Sequence, residues 1–200
     1  GGLIEYALKF EHFALAEYLP VELCNLAELF WTYEPDLREK RLWGAFQRDY
    51  KDQKYLYGLS LQAENYEHDT LNEPALYKSF FLILFRTNFW EGFHWAIHFV
   101  NQSVVTLSNN LEENLPLYTI YFVVDGENIS YFGSEEMWLA TTQEHSMPIL
   151  LSDLIYCLKY EIFNIIKTLR DNGKDYIGFA NRIKEILFRE SNNIALLTII

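Results

Sequence analysis

The chain is 200 residues long, half of them apolar and 17% aromatic, with 28 acidic against 16 basic residues and a net charge of −12. That composition excludes a disordered chain, and its acidic balance repels a phosphate backbone, which argues against nonspecific nucleic-acid binding by this segment. The length suits one domain or one stretch of helical repeat, able to bury roughly 70% of the surface its unfolded form exposes.

Residues 3 to 18 place Leu3, Tyr6, Ala7, Phe10, Phe13, Ala14 and Tyr18 on one helical stripe, with Glu5, Lys9, Glu11 and Glu17 outside it. This predicts an amphipathic helix buried along that stripe, and Glu5, Lys9, Glu11 and His12 interrupt any apolar signal-peptide core. Pro20 breaks the helix and opens a second, Val21 to Thr32, closed near Glu34-Pro35. A third helix is expected from Leu37 to about Tyr50, continued or restarted through Leu61, with a loop over 62–74. Cys24, and Cys157 further on, are lone cysteines inside apolar helical patterns, read as buried free thiols rather than a disulfide.

Two strongly apolar helices follow, Ala75 to Thr87 and Phe89 or Trp90 to Ser108. Their concentration of aromatics, Phe80, Phe81, Phe85, Phe89, Trp90, Phe93, Trp95 and Phe99, reads as a packing interface. Neither is a membrane span. The longest apolar run, Phe80 to Phe85, is six residues, and Phe89 to Leu107 carries Glu91, His94, His98, Asn101 and Gln102, short of roughly 18 apolar residues. With no signal peptide and no span, a cytoplasmic location is expected.

The period then changes from that of a helix to that of a strand. Tyr118 to Val124 is rich in β-branched and aromatic residues, Asp125-Gly126 is a hairpin-turn signal, and Ile129 to Phe132 returns. A two-stranded ribbon is marginal alone, so it must pack on the helical body or on another part of the parent protein. Ser134 is read as the N-cap of a short helix through Leu139. Beyond Pro148 comes a long helix, Leu150 to Leu169, with Asn172-Gly173 as its C-cap, then a helix from about Asp175 to Arg189. A last helix, capped by Ser191 or Asn192, closes on Ile194-Ala195-Leu196-Leu197-Thr198-Ile199-Ile200 without a stop signal. Ile194, Leu197 and Ile200 are therefore expected to form an exposed apolar patch awaiting a further repeat. Together with a start at Gly1-Gly2, this end reads as that of a segment continuing beyond residue 200 in a parent chain.

The fold class expected is mainly α, a superhelical, α-solenoid-like stack of antiparallel helix pairs with one inserted β-hairpin near residues 118–132. Residues 1–200 are read as a single helical domain or as part of a longer helical-repeat region.

Catalytic chemistry finds little support. His94 and His98, at i and i+4 on one helix with Glu91 a turn earlier, are the sharpest metal candidate. Trp95 follows His94 where a zincin needs glutamate, and His12, His68 and His145 are scattered, so the pair is read as structural. Gly173-Lys174 lacks the preceding glycine of a P-loop and is followed by Asp175. Glu112-Glu113 and Glu135-Glu136 read as solvated charges. No catalytic, cofactor-binding or metal residue is assigned.

One resemblance supplies more. Ser79-Phe80-Phe81-Leu82-Ile83-Leu84-Phe85-Arg86-Thr87-Asn88-Phe89-Trp90-Glu91-Gly92-Phe93, with Ile97-His98-Phe99-Val100-Asn101-Gln102-Ser103-Val104, resembles a helical pair of very large bacterial P-loop NTPases, of the STAND and AAA+ type, associated with anti-phage defence. Tyr131 to Leu139 resembles that family's strand, glycine and Leu-Trp element, Met147 to Leu151 its lead into a long helix, and Ser191-Asn192-Asn193-Ile194-Ala195 the start of its next helix. The resemblance covers a little over half the chain and implies a non-catalytic scaffold, oligomerisation surface or sensor. It implies ATP and Mg bound elsewhere in the parent protein, a homo-oligomer, and a phage protein or effector as partner. The competing readings are an interaction module unrelated to immunity, and an enzyme accessory domain with a metal at His94 and His98.

Overall fold

In the computed structural model the most apolar stretch of sequence becomes the centre of the fold. The structure describes residues 13–32, 56–60, 63, 79–110, 117–124, 126–139 and 147–200. In chain order these form α1 (Phe13–Tyr18), α2 (Pro20–Trp31), α3 (Phe80–Thr87), α4 (Phe89–Asn110), β1 (Tyr118–Val124), β2 (Glu127–Gly133), α5 (Glu135–Trp138), α6 (Ile149–Asp171), α7 (Tyr176–Glu190) and α8 (Ile194–Leu197). The protein is mainly helical with one antiparallel hairpin, in which Tyr118 pairs with Gly133 and Val124 with Glu127.

Six consecutive side chains, Phe80 to Phe85, are buried, so α3 is covered on every side. The long α6 lies against both α3 and α4, α2 packs on α4, and α1 on α3. Between them the rings interlock. Trp31 meets Phe81 at 5.3 Å and Phe80 edge-on at 5.5 Å, while Trp95 stacks on Phe99 at 5.3 Å. Such offset and edge-on pairs add to the gain from burial alone. On the other side of α4, Phe89 stacks on Phe93 and touches Phe179 of α7, and the Arg182 guanidinium sits 4.2 Å from the centre of the Trp90 ring.

Asn88 makes the break between the two aromatic helices. Its N–H donates to Leu84 O, closing α3, and its side-chain amide donates to Ala16 O and Glu17 O at 2.7 and 3.0 Å. One residue thus ends α3 and satisfies carbonyls that α1 leaves open at its C-terminus. Gly92 sits where α3 and α4 converge, and a Cβ there would lie 2.8 Å from the Phe85 ring.

Four expectations are corrected. Leu3, Tyr6, Ala7 and Phe10 of the stripe predicted for the first helix lie outside the described residues, and its described members Phe13, Ala14 and Tyr18 are exposed while Ala16 is buried, because α1 meets α3 through the small side chain that allows close approach. The helical conformation expected through Leu61 is not kept by the described residues 57–60, where Gly58 has a left-handed φ of 72°. Leu59 instead bridges Thr32, and Ser60 donates from N and Oγ to Trp31 O and Phe30 O. The final helix is capped by Asn193, not by Ser191 or Asn192, and spans only Ile194–Leu197. Its expected exposed patch is largely internal: Ile194 is 4% exposed and Leu196 and Ile199 are buried, and Leu197 is half-buried against the core, leaving Ile200 outside. The helix expected over 37–50 and the loop over 62–74 lie outside the described residues, apart from buried Ala63.

Phe93 has no exposed surface. Phe93→Ala should cost about 3–5 kcal/mol in denaturant titration, whereas Phe163→Ala, on the exposed side of α6, should stay within about 0.5 kcal/mol.

Candidate functional site: the asparagine junction beside His94

The middle of α4 and the segment that follows α7 meet at one side chain. Asn101 projects from the middle of α4 toward the point where α7 ends. Its Nδ2 donates to Glu190 O at 2.7 Å, and its Oδ1 accepts from Asn192 N and Asn193 Nδ2, both at 3.0 Å. Asn192 Nδ2 donates back to Asn101 O, and Asn193 Nδ2 also reaches Asn192 Oδ1. The backbone N–H of Asn192 can only donate, which fixes the oxygen side of the Asn101 amide. Aspartate at 101 would lose the donor to Glu190 O, and a hydrophobe would lose every side-chain bond.

From this junction the chain turns into two further elements. Asn193 is fully buried and caps α8 by accepting from Leu196 N at 3.2 Å. Phe132 of β2 donates from N to Asn192 O at 2.7 Å, forming a parallel bridge between Phe132 and Asn193. The hairpin is thereby tied to the body. Tyr131, also buried, donates its hydroxyl to Phe188 O at 2.5 Å, and burial holds its phenol above the ordinary range. Gly133 permits this approach, because a Cβ there would lie 2.6 Å from Ile120 Cδ1 and 3.0 Å from Ile194 Cδ1.

His94 and His98 flank this junction on the surface of α4 but do not act together. His94 Nδ1 lies 3.1 Å from Glu190 Oε2, whereas His98 Nε2 lies 3.8 Å from Glu28 Oε1 on α2. Each imidazole has its own carboxylate on a different helix, and among the described residues no three His, Cys, Asp or Glu side chains converge as a ligand set. His12, His68, His145 and Glu112-Glu113 lie outside the described residues. Gly173-Lys174 closes α6: Gly173 has φ 65°, its N–H bonds Arg170 O, and Lys174 N bonds Leu169 O. That is a Schellman cap, with no cradle of amides. No described helix is long and apolar enough to cross a membrane.

The sequence reading missed a polar line inside α6. Asp153, Cys157 and Glu161, four residues apart, face α3. Cys157 Sγ donates to Ser79 Oγ at 3.6 Å, and Arg86 Nε pairs with the buried Glu161 at 3.3 Å. Burial pushes the Asp153 carboxyl up to about 7 against a hydrogen bond from Ser79, and its Oδ2 is buried with no partner. Burial, reinforced by the Asp153 charge, also holds the Cys157 thiol well up, and Cys24 is pushed up to about 12 by burial with Glu91 and Glu28 nearby. Both cysteines are free and buried, and burial favours the neutral thiol over the thiolate that nucleophilic and metal chemistry need. The repeat of polar residues on an otherwise apolar stripe was the available signal.

No protein-family model and no curated protein matches the chain.

Two outcomes follow from the geometry. Asn101→Leu removes the side-chain partners of Asn192 N and Glu190 O and one of the two acceptors of Asn193 Nδ2, and should cost about 2–4 kcal/mol. A double-mutant cycle with Asn193→Ala should give a clearly sub-additive total. Asp153 has a folded-state pKa near 7, above its ordinary 3.8, so folding takes up a proton. Its penalty is absent below about pH 4, grows as pH rises, and is complete above about pH 7. Asp153→Asn should raise the denaturant midpoint at pH 8, by about 1–3 kcal/mol in stability, with the gain vanishing near pH 4.

Proposed function

We propose that this chain is a non-catalytic helical scaffold and oligomerisation or sensor segment of a large bacterial anti-phage defence NTPase. In this reading its helix pairs form part of an α-solenoid-like superhelix, the parent protein binds ATP and Mg elsewhere and works as a cytoplasmic homo-oligomer, and a phage protein or effector is the trigger or output.

The observation that supports the reading is the use of the resembling residues. The helical pair contributes Asn101, the strand element contributes Tyr131, Phe132 and Gly133, and the terminal element contributes Asn192 and Asn193. These segments, up to 92 positions apart in the case of Asn101 and Asn193, meet in one hydrogen-bonded junction. Residues shared with a family for their structural roles are expected to interlock in this way, whereas a chance likeness in apolar helices would scatter. Burial favours the neutral form of the described thiols and the two histidines are separately paired, which suits a scaffold.

The test is phage challenge of bacteria expressing the intact protein, together with ATP hydrolysis by the purified protein. Protection and Mg-dependent hydrolysis are expected in the wild type, with protection lost in Asn101→Leu and retained in the double variant His94→Ala, His98→Ala. An intact protein that neither binds ATP nor lowers phage plating would overturn the reading. Loss of stoichiometric zinc and of function in the histidine variant would favour the metal-bearing accessory domain instead.

A further inference from the structure

We propose that the outer edge of β1 is a homotypic interface, pairing antiparallel with β1 of a second copy of this chain about a two-fold axis at Tyr121. The proposal rests on the oligomeric part of the reading above and names the surface that forms the contact.

The register of the hairpin decides which backbone groups are open. Val124 and Glu127 are paired across the turn, and in a two-residue hairpin the flanking residues exchange hydrogen bonds, as does every second pair beyond them. The pairs 122/129, 120/131 and 118/133 therefore bond inward. Thr119, Tyr121 and Val123 are left with N–H and C=O groups directed away from β2. One edge of the hairpin is already occupied, since Phe132 of β2 bridges Asn193. The edge of β1 has no such neighbour among the described residues. Tyr121 is 69% and Val123 73% exposed.

A second copy fits this edge for two reasons. The open set is symmetric about Tyr121, so a two-fold axis there opposes Tyr121 to Tyr121, Thr119 to Val123 and Val123 to Thr119, and every outward donor meets an outward acceptor. The strand is also a neutral window in an acidic protein. Tyr118 to Val124 contains no Asp, Glu, Lys or Arg although the chain carries −12, so copies that repel elsewhere meet here without opposed charges. Strands left at an edge are ordinarily protected by lysine, proline or a bulge, and β1 has no lysine or proline. The pairing would produce a four-stranded sheet and place two tyrosines side by side, the cross-strand arrangement that favours association.

Sedimentation velocity of the intact protein over a wide concentration range tests this. Association is expected, and both Tyr121→Lys, which opposes two ammonium groups at the axis, and Val123→Pro, which removes one outward N–H, should raise the dissociation constant about tenfold or more, with unchanged circular dichroism. Association unaffected by both variants would overturn the edge while leaving the oligomeric reading standing. A protein monomeric throughout would overturn both. Independently of either variant's folding, Tyr121→Cys should form a disulfide dimer on oxidation, since residues of a hydrogen-bonded pair lie about 5.5 Å apart at Cα. Asn128→Cys, on β2 and two strands from its copy's nearest edge, should not, and equal cross-linking of the two would overturn the proposal.

Discussion

The end of a helix leaves carbonyls that must find donors, and the way α7 ends organises half of this fold. No glycine follows Glu190 to curl the chain back, so the last carbonyls are satisfied from elsewhere. Ser191 N bonds Leu187 O, the Tyr131 hydroxyl bonds Phe188 O, and Asn101 Nδ2 bonds Glu190 O. A strand, the central helix and the connecting segment are thereby fixed to one helix terminus. Hydrophobic contact alone would let α4, α7 and the hairpin slide relative to one another. Directional bonds between buried or half-buried groups do not, since losing one leaves a desolvated polar atom.

The opposite side of α4 is held differently. There α3 is enclosed by α1, α4 and α6, and the polar line Asp153, Cys157, Glu161 runs along the α6 side of the contact. Its lower end is well matched, because Arg86 and Asn164 both reach Glu161. Its upper end is not, because Asp153 keeps one carboxylate oxygen dry and unpaired. The two ends illustrate the asymmetry of burying charge: a partnered carboxylate fixes the register of two helices, while an under-partnered one shifts toward its neutral form.

Much of this architecture was legible in the sequence. Helical periodicity located α2, α4, α6 and α7 to within a few residues, Asp125-Gly126 and its flanking strand formers placed the hairpin, and Ser134 and Gly173 marked a cap and a stop. The failures share a physical origin. In α1 Phe13, Ala14 and Tyr18 of the predicted stripe lost to Leu15 and the small Ala16, because periodicity measures side-chain polarity and not how close two backbones must come. The terminal turn looked unprotected because its cover, β2 and α5, is remote in sequence. The junction at Asn101 was invisible for the same reason: asparagines on a helix and in a loop carry no pattern until the fold brings them together. His94 and His98 had a pattern, and the fold divided them between Glu190 and Glu28.

The hairpin shows how local and global stability are joined in this molecule. A two-stranded ribbon is marginal in water, yet this one holds register because Tyr131, Phe132 and Gly133 of β2 are anchored to the end of α7 and to the segment that follows. Among the described residues β1 is held by its pairing with β2 and by Ile120, which rests against the core. The anchored strand is thus rigid for reasons of chain geometry, and it presents the unanchored one as an extended, pre-ordered edge. Ordering a strand costs conformational entropy before any contact can form. Here that cost is met by intramolecular bonds on the far side of the ribbon, so a strand arriving at β1 would gain its backbone bonds without first having to order the template. The same junction that closes the helical body therefore also positions the strand whose outer edge is proposed above as an interface.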